Sequence, residues 1–155
     1  MTAARKTAKR PLWKCPKCGH KFVTRNLWHS CVNVPIAAHF RGARAPLRKT
    51  FSAWLAAARA CGRVTVYAQK SRITIMARVR FAGAVVHNSY LDAGLWLRRK
   101  ATHPALRKIE DYGRLGCVHH FRLTSPDDVD ARLRELMAEA YRVGTQEITA
   151  KSVGH

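Results

Sequence analysis

Cys15 and Cys18 are the residues whose type and spacing most sharply specify chemistry. In a C-x2-C pair, two thiolates converge on one ion from a tight turn. Pro16 and Gly19 shape that turn and leave backbone N–H groups to bond the sulfurs. A tetrahedral zinc ion then needs two more ligands. The nearest donors are His29 and Cys31, giving C-x2-C-x10-H-x-C, with His20 and His39 as alternatives at the histidine position. Residues two apart on a helix point about 200° from each other, so a helix begun at Thr24 must end near His29, with Cys31 beyond it. Four protein ligands leave no open position for water, which makes the Zn2+ site structural rather than catalytic. A segment of roughly twenty residues cannot bury enough surface to fold alone, and a bound ion supplies what it lacks. Trp13, Phe22 and Trp28 would form its small core. A redox CxxC usually opens a helix that follows a strand, and that pattern is absent.

Charge is the second signal. The net charge is +20, and 18 Lys and Arg residues precede Asp92, the first acidic residue of the chain. All nine acidic residues fall between Asp92 and Glu147. The leading half therefore suits a polyanion, and nucleic acid is the commonest one. Arg5, Lys6, Lys9 and Arg10 form a basic arm expected to be disordered, and Lys17, Lys21 and Arg25 continue it through the zinc unit. DNA and RNA are not distinguished, and an acidic protein partner would answer the same charge. The five Cys residues form no disulfide framework, so a reducing cytoplasm is expected. No apolar run is long enough for a membrane span, and no secretory signal is legible.

The elements that must position these groups read as three sections. Residues 1–11 are the arm, residues 12–33 the zinc-finger-like unit, and residues 34–155 a globular domain. Leu47, Phe51, Trp54, Leu55 and Ala58 recur at helical spacing, and Gly62 closes that helix. Val64 to Ala68 reads as a short strand. Arg72 to Phe81 alternates as one strand, placing Arg72, Arg78 and Arg80 on a common face, with Gly83 as punctuation. Tyr90 to Leu97 and Cys117 to Leu123 are further strands. Ser125-Pro126-Asp127-Asp128 opens a last helix whose buried stripe is Val129, Leu133, Leu136, Met137 and Ala140, ending at Gly144. The fold class is α+β, a mainly antiparallel sheet flanked by helices with a small zinc-knuckle unit ahead of it.

The strand arginines Arg72, Arg78 and Arg80 suit phosphate through their planar forks. His119 and His120 are adjacent, so on a strand they face opposite sides. One of them, His120, could join Lys70, Arg72 and Trp96 in a pocket for a small anion. No nucleophile has a partnered base, no carboxylates form a close pair, and no glycine-rich phosphate loop appears. The chain reads as non-enzymatic.

Gln69-Lys70-Ser71-Arg72-Ile73, Arg78-Val79-Arg80-Phe81-Ala82-Gly83, Leu95-Trp96-Leu97 and Val118-His119-His120-Phe121-Arg122-Leu123 together resemble an uncharacterised bacterial domain family of unknown function. That family is sometimes labelled "predicted transport protein". The likeness covers roughly Pro35 to Ala150. Some relatives carry the leading segment from Trp13 through Cys31, which implies His29 and Cys31 as the remaining zinc ligands. The resemblance also implies a frataxin-like α+β architecture, without the acidic ridge that iron delivery would use.

Overall fold

The computed structural model describes residues 11–25 and 34–147. Two strands, β1 (Trp13–Lys14) and β2 (Lys21–Phe22), form an antiparallel hairpin. A single-turn helix α1 (Ile36–His39) and the long helix α2 (Pro46–Cys61) follow. The main sheet comprises β3 (Thr65–Ala68), β4 (Ile73–Met76), β5 (Arg80–Val86), β6 (Leu91–Leu97), β7 (Leu106–Asp111) and β8 (Cys117–Leu123). Helix α3 (Ala131–Gly144) comes last. The six strands lie in the order β3-β4-β5-β6-β8-β7, and every neighbouring pair is antiparallel.

Both long helices cover one face of this sheet. Pro46 starts α2 where its missing N–H costs nothing. The apolar stripe of that helix (Leu47, Phe51, Trp54, Leu55 and Ala58) is buried. The Leu133, Leu136, Met137 and Ala140 stripe of α3 is fully buried beside it, and α3 packs on β5 and β6. The sheet answers with Ile73, Ile75, Ala82, Ala84, Leu91, Ala93, Leu95, Phe121 and Leu123. Alternation then sends Thr74, Gly83, Asp92, Gly94, Trp96, Val118 and His120 to the opposite face, which carries no helix among the described residues.

Four expectations change. The run from Arg72 to Phe81 is two strands, because Ala77 to Val79 forms a tight turn. The Gly144 carbonyl holds that turn by accepting hydrogen bonds from the Arg78 and Val79 N–H groups. Arg78 therefore sits in the turn and not on a strand face with Arg72 and Arg80. Gly83 lies inside β5 instead of ending a strand. Ser125 to Asp128 forms a capping box on a 3-10 turn over Pro126–Asp128, while α3 begins later with Asp130 accepting from the Leu133 N–H. Strand β7 was not anticipated. Its sequence, LRKIED, is mostly charged, as an edge strand tolerates.

Candidate functional site

The C-x2-C turn connects β1 to β2. The Cys15 N–H donates to the His20 carbonyl at 2.8 Å, and the Gly19 N–H donates to the Cys15 carbonyl at 2.9 Å. Gly19 takes φ +79°, a left-handed conformation that a side chain would strain. Cys15 is buried and Cys18 half-buried in this one turn. Both candidate thiol ligands therefore stand on one turn. His29 and Cys31 lie outside the described residues, as do Trp28, Arg5, Lys6, Lys9 and Arg10. Among the described residues no group of three or more His, Cys, Asp or Glu side chains is arranged to hold a metal ion. His20 packs against Tyr67, the two rings tilted by 32° with centroids 3.9 Å apart. His39 ends α1, its Nε2 buried with no hydrogen-bond partner among the described residues.

The small core of the hairpin is not its own. Phe22 packs with Trp13 and also with Tyr67 and Met76, which stand on this same opposite face, at β3 and β4. The hairpin thus roofs one end of the open face. Lys17, Lys21 and Arg25 remain exposed on it.

Beyond the roof, the open face forms a groove open to solvent. The register explains its shape. Thr74, Gly83, Gly94 and His120 lie in one row across four strands. The two glycines leave its floor bare. Trp96 rises on one side of that row and Asp92 on the other, since each is two residues from Gly94 on the same face. Arg72 and Arg80 stand exposed on the β4–β5 rim. Neither is in an ion pair among the described residues, whose pairs use only Arg99, Lys100, Lys108, Arg132, His103 and His120 as cations. Arg72, Trp96 and His120 all line this groove. Lys70 is left out of the lining, exposed at the end of β3.

His120 does not behave as an unpaired cation aimed at an anion. Its Nδ1 lies 3.1 Å from Asp92 Oδ1, and its Nε2 lies 2.7 Å from Glu110 Oε1. The hydrogen bond from His120 holds the Glu110 carboxyl below the usual carboxylate range. The two ring nitrogens point to different acids, so the three groups do not converge on an ion. A second depression, lined by Tyr90, Arg107, Lys108 and Arg122, begins on the far side of the same His120–Asp92 pair. The Arg122 guanidinium lies over the Tyr90 ring at 4.1 Å.

His119 faces the other way, into the core. Its Nε2 accepts from the Ala101 N–H at 2.9 Å, and its Nδ1 lies 3.3 Å from the Cys117 carbonyl. Burial pushes its pKa down. It is a satisfied structural histidine. Cys117 is buried and Cys61 half-buried, and burial raises both thiols.

Asp92, Glu110 and the two glycines escaped the sequence reading. A lone glycine inside an alternating strand such as LDAGLWL often marks close approach by another group, and that was the available signal.

The sequence profile of a family described as "Domain of unknown function (DUF5655)" matches residues 36–144. The chain belongs to that family. The matched span runs from the start of α1 to the end of α3, so the DUF5655 domain is the helix-backed sheet and the CxxC hairpin stands outside it. No curated protein and no solved structure matches the chain. The DUF5655 description names no activity, and nothing here supports the transport label of the resembling family. No helix among the described residues is long and apolar enough to cross a membrane.

Proposed function

We propose that this protein is a non-enzymatic, zinc-containing nucleic-acid-binding protein that grips phosphates with little sequence preference. The observation that carries the reading is the exposed pair Arg72 and Arg80, in no ion pair among the described residues, beside a groove whose roof is the basic hairpin. Arg80 also lines the cleft between hairpin and sheet, so the rim of the groove is continuous with the CxxC unit. Phosphate contacts supply affinity without reading bases, and each one makes binding salt-sensitive.

In this reading Cys15, Cys18, His29 and Cys31 hold one structural Zn2+, which fixes the hairpin and thereby Lys17, Lys21 and Arg25. Arg5, Lys6, Lys9 and Arg10 extend the positive field ahead of it, and Arg78 adds to it from the β4–β5 turn. The cytoplasm is the compartment that suits thiolate ligands.

The test is direct binding of labelled single- and double-stranded DNA and RNA at about 50 mM salt, repeated at about 200 mM. Binding at the lower salt with a loss of tenfold or more at the higher is expected for several phosphate contacts. No binding to any of the four at low salt rejects the proposal.

A second reading, a small-anion or metabolite site, draws on the same groove. Two carboxylates flanking His120 weigh against a bare anion there.

A further inference from the structure

We infer that the glycine-floored groove on the open sheet face seats one nucleobase together with its phosphate, supplied either by a unit of a single strand or by a free nucleotide. This deepens the nucleic-acid reading and rests on it for the source of the ligand.

The groove has the shape of a planar ring's seat. Its floor is Gly83 and Gly94, which pair directly across β5 and β6. Its two walls along β6 are Trp96 and Asp92. Their Cα atoms stand about 13 Å apart, four strand residues at about 3.3 Å each. That leaves room for a ring laid against the indole. Tyr112 backs the indole from outside the groove, ring centroids 5.5 Å apart, which limits its swing. Stacking on an aromatic ring is the usual hold on an unpaired base, because every base offers a π-face.

The polar groups divide the ligand's ends. Phosphate belongs at the exposed guanidiniums of Arg72 and Arg80, on the β4–β5 side of the groove, with Val85 between Arg72 and Asp92. Those two residues sit toward opposite ends of the β4–β5 side. Arg72 precedes the Ile73–Ala84 pair, and Arg80 pairs with Met76. Such a placement suits the two phosphates that flank one nucleotide in a strand. The opposite wall is an acceptor. Asp92 gives Oδ1 to His120, and its Oδ2 has no hydrogen bond among the described residues. A carboxylate oxygen there takes an exocyclic amino group, as cytosine carries and thymine lacks.

Gly94 supplies a clean test. A Cβ built there meets nothing nearer than the His119 carbonyl oxygen at 3.8 Å, an ordinary contact. The backbone therefore accepts a Cβ here, and the branched side chain of Gly94→Val adds bulk to the floor. Binding of labelled oligo(dC) and oligo(dT) to the full-length chain would be compared with calorimetric binding of cytidine monophosphate, for wild type, Gly94→Val, Trp96→Ala and Trp96→Phe. Circular dichroism and melting would confirm that each variant folds. The expected result is that Gly94→Val and Trp96→Ala weaken oligo(dC) binding about tenfold, that Trp96→Phe retains most of it, and that oligo(dC) binds more tightly than oligo(dT). A folded Gly94→Val that binds oligo(dC) like wild type overturns the inference and leaves the wider reading standing on the hairpin and arm. Binding of the mononucleotide alone, abolished by Gly94→Val, supports the seat and rejects the polymer as its source. No binding of either ligand overturns both readings.

Discussion

The His20 ring packs against the Tyr67 ring with 3.9 Å between centroids, and this contact joins the CxxC hairpin to the DUF5655 sheet. Tyr67 is buried, and its ring also meets Phe22 edge-on at 6.1 Å. It stands on β3 opposite Thr74, so its position is fixed by the sheet register and not by the hairpin. Two units with separate sequence signatures therefore share one small core centred on Tyr67. Tyr67→Ala is expected to cost about 3 kcal/mol of stability, as aromatic truncations in packed sites do. Hydrogen exchange should show faster exchange at the Cys15 and Gly19 amides than elsewhere in the variant. Uniform loss across the chain would mean that the hairpin is not separately anchored there.

Zinc analysis of the purified protein should give about one ion per chain. Cys15→Ser and Cys18→Ser should each release it, and His29→Ala should lower the affinity or stoichiometry. An unchanged zinc content in His29→Ala would move the fourth ligand elsewhere. An unchanged content in both cysteine variants would remove the metal from the account.

Gly144 closes α3 against the sheet. Its carbonyl accepts from the N–H groups of Arg78 and Val79. A Cβ at this position would run into the ring of Phe81, which is fully buried and cannot retreat. Gly144→Ala should therefore destabilise the fold by about 1–3 kcal/mol, a typical overpacking cost. Chemical denaturation measures it. A variant as stable as wild type would show that this corner is loosely packed.

His119 gives the fold a pH dependence of known sign. Burial lowers its pKa in the folded protein relative to the usual value of about 6.5. The unfolded chain thus takes up the proton first as pH falls. The stabilisation is fully present above about pH 6.5 and is lost as pH drops below it toward the folded value. His119→Leu leaves the Ala101 N–H without its acceptor, so it should cost about 1–3 kcal/mol at neutral pH. It should also flatten the stability difference between about pH 7.5 and pH 5.5. Denaturation midpoints at those two values decide it, and an unchanged difference would place the titration on another group.

The long elements were legible because burial and periodicity agree in them. In α2 the stripe from Leu47 to Ala58 has one apolar face and one core to meet. In β6 and β8 strict alternation separated His119 from His120 correctly. The run from Arg72 to Phe81 misled because a period of two continues unbroken through a three-residue turn. What holds the turn is a pair of tertiary hydrogen bonds to the Gly144 carbonyl, and no local residue announces them. Strand β7 was hidden by its charge, since LRKIED shows no apolar alternation and only pairing with β8 makes it a strand. The groove was half legible. Arg72, Trp96 and His120 announce polar and aromatic chemistry by type. Asp92 and Glu110 enter through cross-strand register, from β6 and β7 on either side of β8.

The central claim is that the positive charge of this molecule meets a polyanion through several phosphates at once. Fluorescence anisotropy of a labelled single-stranded oligonucleotide, titrated at a series of salt concentrations, measures this directly. The account predicts that log K falls linearly with log[salt], with a slope of about −0.7 for each phosphate engaged and a total near −3 or steeper. A flat dependence, or no measurable binding at the lowest salt, contradicts it.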